Sequence, residues 1–308
     1  MKWPKILGRT STSTGEEGAE KPEAARNPKM FRNLNPLPLG IELPFAEILP
    51  LAAEFGFPSI ELPLPYLMEA SREQIQEAKR ALVDSGLRAA CFPLPVEFRE
   101  DNEIFNAGMA KLDRAASIAS EFGCIRCYTW ITPYHDELTF PENFERHRDR
   151  LSDCARVLDS HGARLGLEYV APPSLRKGKN FEFIHDLRGL QELIKLIDLP
   201  NVGLLLDSFH WYTSGGTLEE ILALKPEQIV YVHINDAPEG LDIDEQADLR
   251  RCLPGETGVI QITEFLNALE TVGYAGPVAV EPFLAEFRQM EPREVLAKVR
   301  DALDRVGM

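Results

Sequence analysis

Cysteine is scarce in this chain, which has five cysteines among its 308 residues. The odd number and the apolar surroundings of these residues argue against a disulfide framework and indicate a reducing compartment. Cys124 and Cys127 have the CxxC spacing, but positions three apart in the strand predicted there point to opposite faces. Because no second CxxC pair exists, we predict that both are packing residues rather than zinc or redox groups.

A long apolar run and an excess of basic residues are also missing. No apolar stretch approaches the ~20 residues that span a bilayer, and the N-terminus lacks the apolar core of a secretory signal. The 33 lysines and arginines are outnumbered by 49 aspartates and glutamates, which gives a formal net charge of −16. A surface of this charge repels a phosphate backbone. We therefore expect a cytoplasmic protein that contacts neither a membrane nor nucleic acid.

The first 30 residues differ in composition from the rest of the chain. They are rich in Thr, Ser, Gly, Glu and Pro and have no sustained hydrophobic periodicity. Segments of this composition cannot bury enough apolar surface to fold. We predict a disordered extension over residues 1–30 and one folded domain over residues 31–308.

From Leu37 onward, short apolar runs typical of strands alternate with longer helical patterns, which indicates βαβ units on a parallel sheet. No GxGxxG or GxxxxGK[ST] motif follows the first predicted strand, which disfavours an open nucleotide-binding sheet. Eight strand-helix pairs in strict alternation predict an α/β fold, a single-domain (β/α)₈ TIM barrel. The predicted strands cover residues 37–41, 59–62, 87–92, 125–130, 164–168, 202–207, 229–234 and 277–281.

Ionisable residues lie at the ends of the last four predicted strands, where a (β/α)₈ barrel builds its active site. These residues are Glu168, Asp207, His233 and Glu281. Three carboxylates meeting at one mouth repel one another unless a cation is present. The mixed oxygen and nitrogen donors suit Mn²⁺, Mg²⁺, Co²⁺ or Zn²⁺. A helix cap or a surface ion pair is the alternative for any one residue, but the set of four predicts one divalent metal ion.

Five segments of the sequence have a recognisable order: LGLEYV, GLLLDSFHWYTSGG, YVHINDAP, RCLPGETG and GYAGPVAVEPF. Together they resemble the motifs of the xylose-isomerase-like sugar isomerase and epimerase family, which includes relatives of D-tagatose 3-epimerase and inosose dehydratase. The resemblance covers residues 37–308 in layout and is strongest in the C-terminal half. It implies the same four metal ligands, on strands five to eight.

The resemblance also implies roles for residues near the metal. His210, three residues after Asp207, is similar to the family histidine that contacts a substrate oxygen. Arg251 resembles the arginine that reaches a substrate hydroxyl or carboxylate. Asp236 matches the aspartate of the family's HxxD pattern, and we expect it to orient His233 or a loop.

One segment departs from the family pattern. The usual PGxG turn is one residue longer here, as PGETG over residues 254–258. The placement of Arg251 is therefore open, and the adjacent Arg250 is the alternative.

Two tryptophans, Trp130 and Trp211, are predicted to contact the substrate. Trp130 ends a predicted strand, and an aromatic face suits the apolar side of a sugar ring. Plain packing is the alternative for Trp130. No residue of the first half carries a role from the family motifs. Glu61, Tyr66 and His135 also end or follow predicted strands and are further candidates for the pocket wall.

These residues predict proton removal next to the carbonyl of a small sugar or polyol through an enediolate, with Glu168 and Glu281 as the acid/base pair. Return of the proton gives isomerisation or epimerisation, and loss of a β-hydroxyl gives dehydration of a keto-inositol or 3-keto-sugar. Six histidines and the acidic charge disfavour an AP-endonuclease-like phosphodiesterase. The complete ligand set disfavours a non-catalytic sugar-binding barrel. Family members often pair, so a homo-oligomer stays open.

Overall fold

A computed structural model describes residues 29–308 of the chain. The disordered extension predicted for residues 1–30 therefore lies almost entirely outside the described residues. Within the described part, no helix combines the length and the apolar character that crossing a membrane requires.

Strands and helices alternate through the described residues. The strands are β1 Phe31–Leu34, β2 Ser59–Ile60, β3 Arg88–Ala89, β4 Phe92–Pro93, β5 Arg126–Ile131, β6 Tyr134–His135, β7 Arg164–Tyr169, β8 Phe181–Glu182, β9 Val202–Asp207, β10 Ile229–Ile234 and β11 Pro277–Val280. The α-helices are α1 Phe45–Glu54, α2 Leu64–Glu69, α3 Arg72–Asp84, α4 Asn102–Glu121, α5 Phe140–Ser160, α6 Pro173–Arg176, α7 Leu187–Ile197, α8 Ser208–Thr213, α9 Leu218–Leu222, α10 Ile262–Thr271 and α11 Pro292–Arg305.

Two short strands, β3 and β4, act together as one strand that closes the sheet. β3 pairs with β2, and β4 pairs with β5, both in parallel. The two residues between them continue the ladder, because Ala90 N donates to the Ile60 carbonyl and the Cys91 carbonyl accepts from Leu62 N. On the other side of the sheet, β11 pairs with both β10 and β1. The predicted closed barrel of eight parallel strands is confirmed.

The first strand lies earlier in the chain than the sequence predicted. Residues 37–41 were expected to form it, but the strand is Phe31–Leu34, and Leu37–Leu39 form a 3₁₀ turn. Pro36 and Pro38 have no backbone N–H, so this segment cannot donate a continuous ladder of hydrogen bonds. The prediction for this strand was wrong because it followed the apolar composition of the segment, which does not reveal that two backbone N–H donors are missing.

Side chains inside the barrel form a small cluster distinct from the large core between the strands and the helices. Leu205, Tyr231 and Ala279 belong to this inner cluster. Residues two apart on a strand point to the same face. The side chains two positions further along these strands, at Asp207, His233 and Glu281, therefore also point to the barrel axis, at its C-terminal end.

Two helices begin at capping boxes, in which a Ser or Thr is followed three residues later by Gln or Glu. Gln74 N donates to Ser71 Oγ at 3.3 Å, and Glu220 N donates to Thr217 Oγ1 at 3.3 Å. Such caps stabilise a helix by about 1 kcal/mol each. These caps fix the starts of helices α3 and α9.

Candidate functional site

The four predicted ligands converge at the C-terminal mouth of the barrel. Each of Glu168, Asp207, His233 and Glu281 offers one atom that lies within 4.8 Å of the others. His233 Nδ1 is central, at 3.3 Å from Glu281 Oε2, 3.8 Å from Glu168 Oε1 and 3.9 Å from Asp207 Oδ2. The name "ligand cluster" is used below for these four residues.

Some donor atoms of the ligand cluster have no hydrogen-bond partner among the described residues, although Asp207 and Glu281 accept from Arg251. Glu168 Oε1 and both ring nitrogens of His233 are buried without a partner. Burial, followed by the charges of Glu281 and Asp207, raises the pKa of Glu168 well above its usual range. Burial alone lowers the pKa of His233, but the neighbouring carboxylates outweigh it and raise that pKa. Unpartnered oxygen and nitrogen donors in a concentrated negative field fit a divalent cation.

Arg251 is the arginine that reaches the ligand cluster. Its Nη1 donates to Asp207 Oδ2 at 2.9 Å and to Glu281 Oε2 at 3.2 Å, and Nη2 donates to Asp248 Oδ1 at 2.8 Å. Arg250 is exposed. Burial opposes the charge of Arg251, but Asp207, Asp248 and Glu281 together raise the pKa of its guanidinium. The longer PGETG turn therefore does not displace Arg251 from the site.

His210 lies beside Arg251, with its Nε2 3.3 Å from Arg251 Nη2. Its Nδ1 lies 3.3 Å from the backbone N of Ala171, and because both neighbours donate, the neutral ring accepts a hydrogen bond from only one of them. Burial lowers the pKa of His210 and so favours this neutral form. The ring thus lies at the edge of the ligand cluster, between Ala171 and Arg251.

Asp207 is held by hydrogen bonds from three directions. Its Oδ1 accepts from Phe209 N at 2.6 Å, and its Oδ2 accepts from Asn235 Nδ2 at 3.0 Å as well as from Arg251. Burial opposes ionisation, but Arg251, His210 and His233 outweigh it and lower the pKa of Asp207. Asp207 is therefore a fixed carboxylate.

Asp236 holds a loop and has no described contact with His233. Its Oδ2 accepts from Thr257 N at 3.1 Å and from Gly258 N at 2.7 Å, and its Oδ1 accepts from Ile260 N at 2.9 Å. These bonds anchor the end of the PGETG turn. Of the two roles predicted for Asp236, the structure shows the contact with the loop.

Of the two tryptophans that were predicted to contact the substrate, only Trp130 lies at the mouth of the barrel. Trp130 and Tyr128 lie two residues apart on β5, so both side chains point into the barrel. Trp130 is the register partner of Glu168 on β7 and is 47% exposed at the mouth. Trp211 is 8% exposed, packs against Phe265 and donates from Nε1 to the Thr217 carbonyl at 3.2 Å. Consecutive helical residues point about 100° apart, so α8 directs His210 to the cluster and Trp211 away from it. The structure does not bring Trp211 to the site.

The sequence indicated Glu61 only as a candidate for the pocket wall and did not predict the buried hydrogen-bond network that it forms beneath the cluster. Glu61 accepts from the hydroxyls of Tyr128 and Tyr231, both at 2.9 Å. The two rings contact the His233 ring edge-on, with centroids 5.8 and 4.6 Å away. Burial is the largest influence on Glu61 and raises its pKa to about 7. Glu61 follows a short strand, and that position was the one sequence signal for it.

Asn235 and Asp248 were also missed as site residues. Asn235 Nδ2 contacts Asp207, while its Oδ1 accepts from Glu281 N at 2.8 Å, so one amide joins the ends of β9 and β11. Asn235 lies two residues after His233. That spacing was a usable signal, because residues two apart on an extended chain share a face.

An eight-stranded parallel barrel with three carboxylates and an imidazole at its mouth defines the class of this protein as a (β/α)₈ barrel with a metal-type donor set. The profile of the xylose isomerase-like TIM barrel family matches residues 49–305. The chain belongs to this family, and the resemblance found in the sequence is confirmed.

Relatives of the chain catalyse related reactions. An inosose isomerase of Bacillus subtilis is 28% identical over 148 residues, which cover 48% of this chain and 50% of the relative. A ketose 3-epimerase of Arthrobacter globiformis is 28% identical over 243 residues, 75% of this chain and 74% of the relative. A 3-dehydroshikimate dehydratase of Pseudomonas aeruginosa is 27% identical over 266 residues, 86% of this chain and 40% of the relative. The chain thus spans about half the length of the inosose isomerase it matches.

Solved structures share the fold. A xylose isomerase domain protein from Alicyclobacillus acidocaldarius superposes with a TM-score of 0.80 at 31% identity, covering 90% of this chain and 98% of that one. The IolI protein, solved with a bound zinc atom, gives a TM-score of 0.76 at 21% identity over 90% of this chain and 98% of its own.

Proposed function

We propose that this chain is a divalent-metal-dependent isomerase or epimerase that moves a proton next to the carbonyl of a small sugar or polyol. The observation that carries the proposal is the placement of two glutamates across one cluster. Glu168 belongs to β7 and Glu281 follows β11, and two strands of the sheet lie between them. A substrate held between these carboxylates is open to proton transfer from both of its faces.

Glu168, Asp207, His233 and Glu281 would hold the metal, which is Mn²⁺, Mg²⁺, Co²⁺ or Zn²⁺. When bound, the ion supplies a Lewis acid that polarises the substrate carbonyl and stabilises the enediolate. The unpartnered atoms of Glu168 and His233 support this assignment, as does the zinc atom in the structure of the IolI protein.

The side chains around the cluster suggest a division of roles. Glu168 is the proposed base, because it lies near the end of β7 at the mouth and its Oε1 has no partner among the described residues. Glu281 is the partner that delivers or removes a proton on the opposite face. The imidazole of His210 and the guanidinium of Arg251 hold substrate oxygens, and Trp130 covers the apolar side of the ring.

A dehydratase acting on a keto-inositol or a 3-keto-sugar is the second candidate. It is favoured by the 3-dehydroshikimate dehydratase relative, whose match extends over 86% of this chain. Both reactions begin with removal of the same kind of proton, and they differ in whether a β-hydroxyl leaves afterwards. The same two glutamates serve either outcome.

The test combines metal removal with a substrate panel. Protein stripped with EDTA and protein reloaded with each of the four ions are incubated with ketohexoses, keto-inositols and 3-keto-glycosides, and NMR follows the products. We expect turnover only in reloaded protein. A product of unchanged mass supports the isomerase, and loss of water supports the dehydratase. Full activity in stringently metal-free protein contradicts the metal-dependent proposal, and no turnover of any substrate favours a sugar-binding barrel.

A further inference from the structure

A separate cavity lies beside the mouth of the barrel. It has a volume of about 440 Å³ and is formed by the loops that follow β4 and β5 together with the start of α5. Its walls include Glu97, Arg99, Trp130, Asn143 and His147. This volume falls within the range of about 300–1,000 Å³ typical of small-molecule sites. The name "side cavity" is used for it below.

Trp130 connects the side cavity to the proposed active site. Its ring is part of the cavity wall, and its backbone is the register partner of Glu168 on the adjacent strand. Neighbouring strands lie about 5 Å apart, so the cavity begins one strand away from a proposed acid/base residue. A ligand that extends past Trp130 from the cluster therefore enters the side cavity.

Two buried acceptor atoms in the wall have no partner among the described residues. They are Asn143 Oδ1 and His147 Nε2, and the two residues are 1% and 4% exposed. His147 Nδ1 lies 2.8 Å from the Asn143 carbonyl and donates to it, so Nε2 of the neutral ring is an acceptor. Burial lowers the pKa of His147 to about 3, which keeps the ring neutral. Buried polar atoms without a partner are rare in folded proteins.

Arg99 and Trp130, which also border the cavity, contact each other. The guanidinium of Arg99 lies 4.0 Å from the centre of the Trp130 ring. Arg99 is fixed there because Nη1 donates to the Trp130 carbonyl at 2.6 Å and Nη2 donates to Glu97 Oε2 at 2.8 Å. The indole is therefore held in place before a ligand arrives, which reduces the entropy lost on binding.

We infer that the side cavity is a second sugar subsite, which binds a hydroxyl-bearing ring attached to the ring that reacts at the ligand cluster. Two acceptors require a ligand that donates hydrogen bonds, and Trp130, which the proposed function places against the reacting ring, borders the same cavity. The inference rests on the proposed function and refines its substrate class to glycosides of two rings. One ring lies at the cluster, and the other passes Trp130 to reach Asn143 and His147.

Binding of unreactive sugars to the metal-loaded full chain tests this inference. The probes are cellobiose and maltose as two-ring sugars and glucose as the one-ring comparison, with dissociation constants measured by NMR titration. We expect at least one two-ring sugar to bind about tenfold more tightly than glucose, a difference of about 1.4 kcal/mol that one or two added hydrogen bonds can supply. Equal affinities, or no binding of either kind, overturn the inference and leave buried water as the partner of the two acceptors.

Substitutions at His147 locate the second ring. His147→Phe removes the acceptor beside Phe98 and Phe183, whose rings already pack against this position. It should weaken the two-ring sugar about tenfold without changing the affinity for glucose. His147→Gln, which restores an acceptor, should recover part of the loss. His161→Phe, near the end of the same helix and outside the cavity, is the matched control, and thermal unfolding checks that each variant folds.

The outcomes separate this inference from the proposed function. Metal-dependent turnover of one-ring substrates without a preference for two rings overturns the subsite and leaves the function in place. Binding of two-ring sugars that depends on His147, with no turnover of any substrate, supports the subsite and contradicts the function. Displacement of cellobiose by ethanolammonium but not by maltose would mean that the acceptors bind an amine, which overturns the sugar assignment.

Discussion

Arg251 Nη1 lies 2.9 Å from Asp207 Oδ2, and both side chains are almost completely buried. The same nitrogen also reaches Glu281 Oε2 at 3.2 Å. One guanidinium therefore joins carboxylates that come from the ends of two different strands, β9 and β11. The planar guanidinium of an arginine has several N–H donors and can bridge the two carboxylates, whereas the ammonium group of a lysine acts from a single point.

This contact predicts the effect of replacing Arg251. Arg251→Lys should lower kcat/KM by about 10- to 100-fold, because hydrogen bonds to charged groups contribute roughly 1.5–3 kcal/mol. Metal content at saturating ion concentration should stay normal, since the four ligands remain. Steady-state kinetics and metal analysis measure the two effects. The exposed neighbour provides the control, Arg250→Lys, and the reverse pattern between the two variants would assign the role to Arg250.

Metal occupancy is expected to depend on Asp207 and His233. Asp207→Ala or His233→Ala removes one donor of the ligand cluster and should reduce the bound metal measured by elemental analysis after dialysis. Asp244→Asn, at an exposed aspartate of the mouth loops, should leave occupancy unchanged. Occupancy equal to wild type in both ligand variants would contradict the assignment of the site.

Glu61 is predicted to position His233 through the two tyrosines. Glu61→Gln keeps the size of the side chain but removes the charge and one acceptor that orient the hydroxyls of Tyr128 and Tyr231. Loss of residues that orient metal ligands commonly weakens metal binding by about 10- to 100-fold. Calorimetric titration of metal-stripped protein with Co²⁺ measures the dissociation constant of the metal. The exposed Glu69→Gln serves as a control, and an unchanged constant in Glu61→Gln would show that the network is not needed for metal binding.

His147 predicts a pH dependence of stability away from the ligand cluster. The pKa of its buried ring falls from 6.5 to about 3 in the folded protein, mainly because burial penalises the charged form. As the pH falls through 6.5, His147 therefore becomes protonated in the unfolded chain while it stays neutral in the folded protein. The contribution of this neutral ring to the stability of the fold is present above pH 6.5 and is lost progressively towards pH 3. Between pH 7 and pH 5 the loss amounts to about 2 kcal/mol.

The measurement compares wild type with His147→Phe. The free energy of unfolding from urea titrations should fall by about 2 kcal/mol more in wild type than in the variant between pH 7 and pH 5. His161→Phe is the control, because that histidine is paired with Asp113 near the surface. Parallel pH profiles of wild type and His147→Phe would mean that His147 is not buried as a neutral ring.

Much of this molecule followed from local patterns, and the exceptions have physical causes. The strand ends predicted that Glu168, Asp207, His233 and Glu281 meet, because parallel strands share one carboxyl edge. The first strand was misplaced because apolar composition does not reveal that Pro36 and Pro38 cannot donate hydrogen bonds. Trp211 was predicted in the pocket because residue type alone does not give the direction of a helical side chain.

The network around Glu61 illustrates a different limit of sequence reasoning. Its partners Tyr128 and Tyr231 are 67 and 170 residues away along the chain. Each residue alone fits a packed barrel interior, and only closure of the barrel brings the carboxylate to both hydroxyls. The hydrogen bonds are long-range, so no local spacing contains them.

The two-glutamate mechanism makes the most discriminating prediction, because Glu168 and Glu281 face each other across the cluster. A genuine substrate incubated in D₂O should gain deuterium at the carbon next to its carbonyl, and Glu168→Gln or Glu281→Gln should block this exchange. Glutamine keeps an amide oxygen for the metal but has no useful basicity, so it separates proton transfer from coordination better than alanine does. Pro282 keeps Glu281 in extended backbone in either variant.

NMR follows deuterium uptake and product together, and metal occupancy is measured in each variant because a glutamine ligand binds less tightly than a carboxylate. Exchange with an epimer or isomer as product supports the isomerase, and exchange with loss of water supports the dehydratase. Wild-type turnover without deuterium uptake would indicate a shielded proton return or a hydride shift, and the glutamine variants then decide between two-glutamate chemistry and another route. If metal-loaded Glu168→Gln and Glu281→Gln both turn over a genuine substrate at the wild-type rate, proton transfer does not pass through these carboxylates.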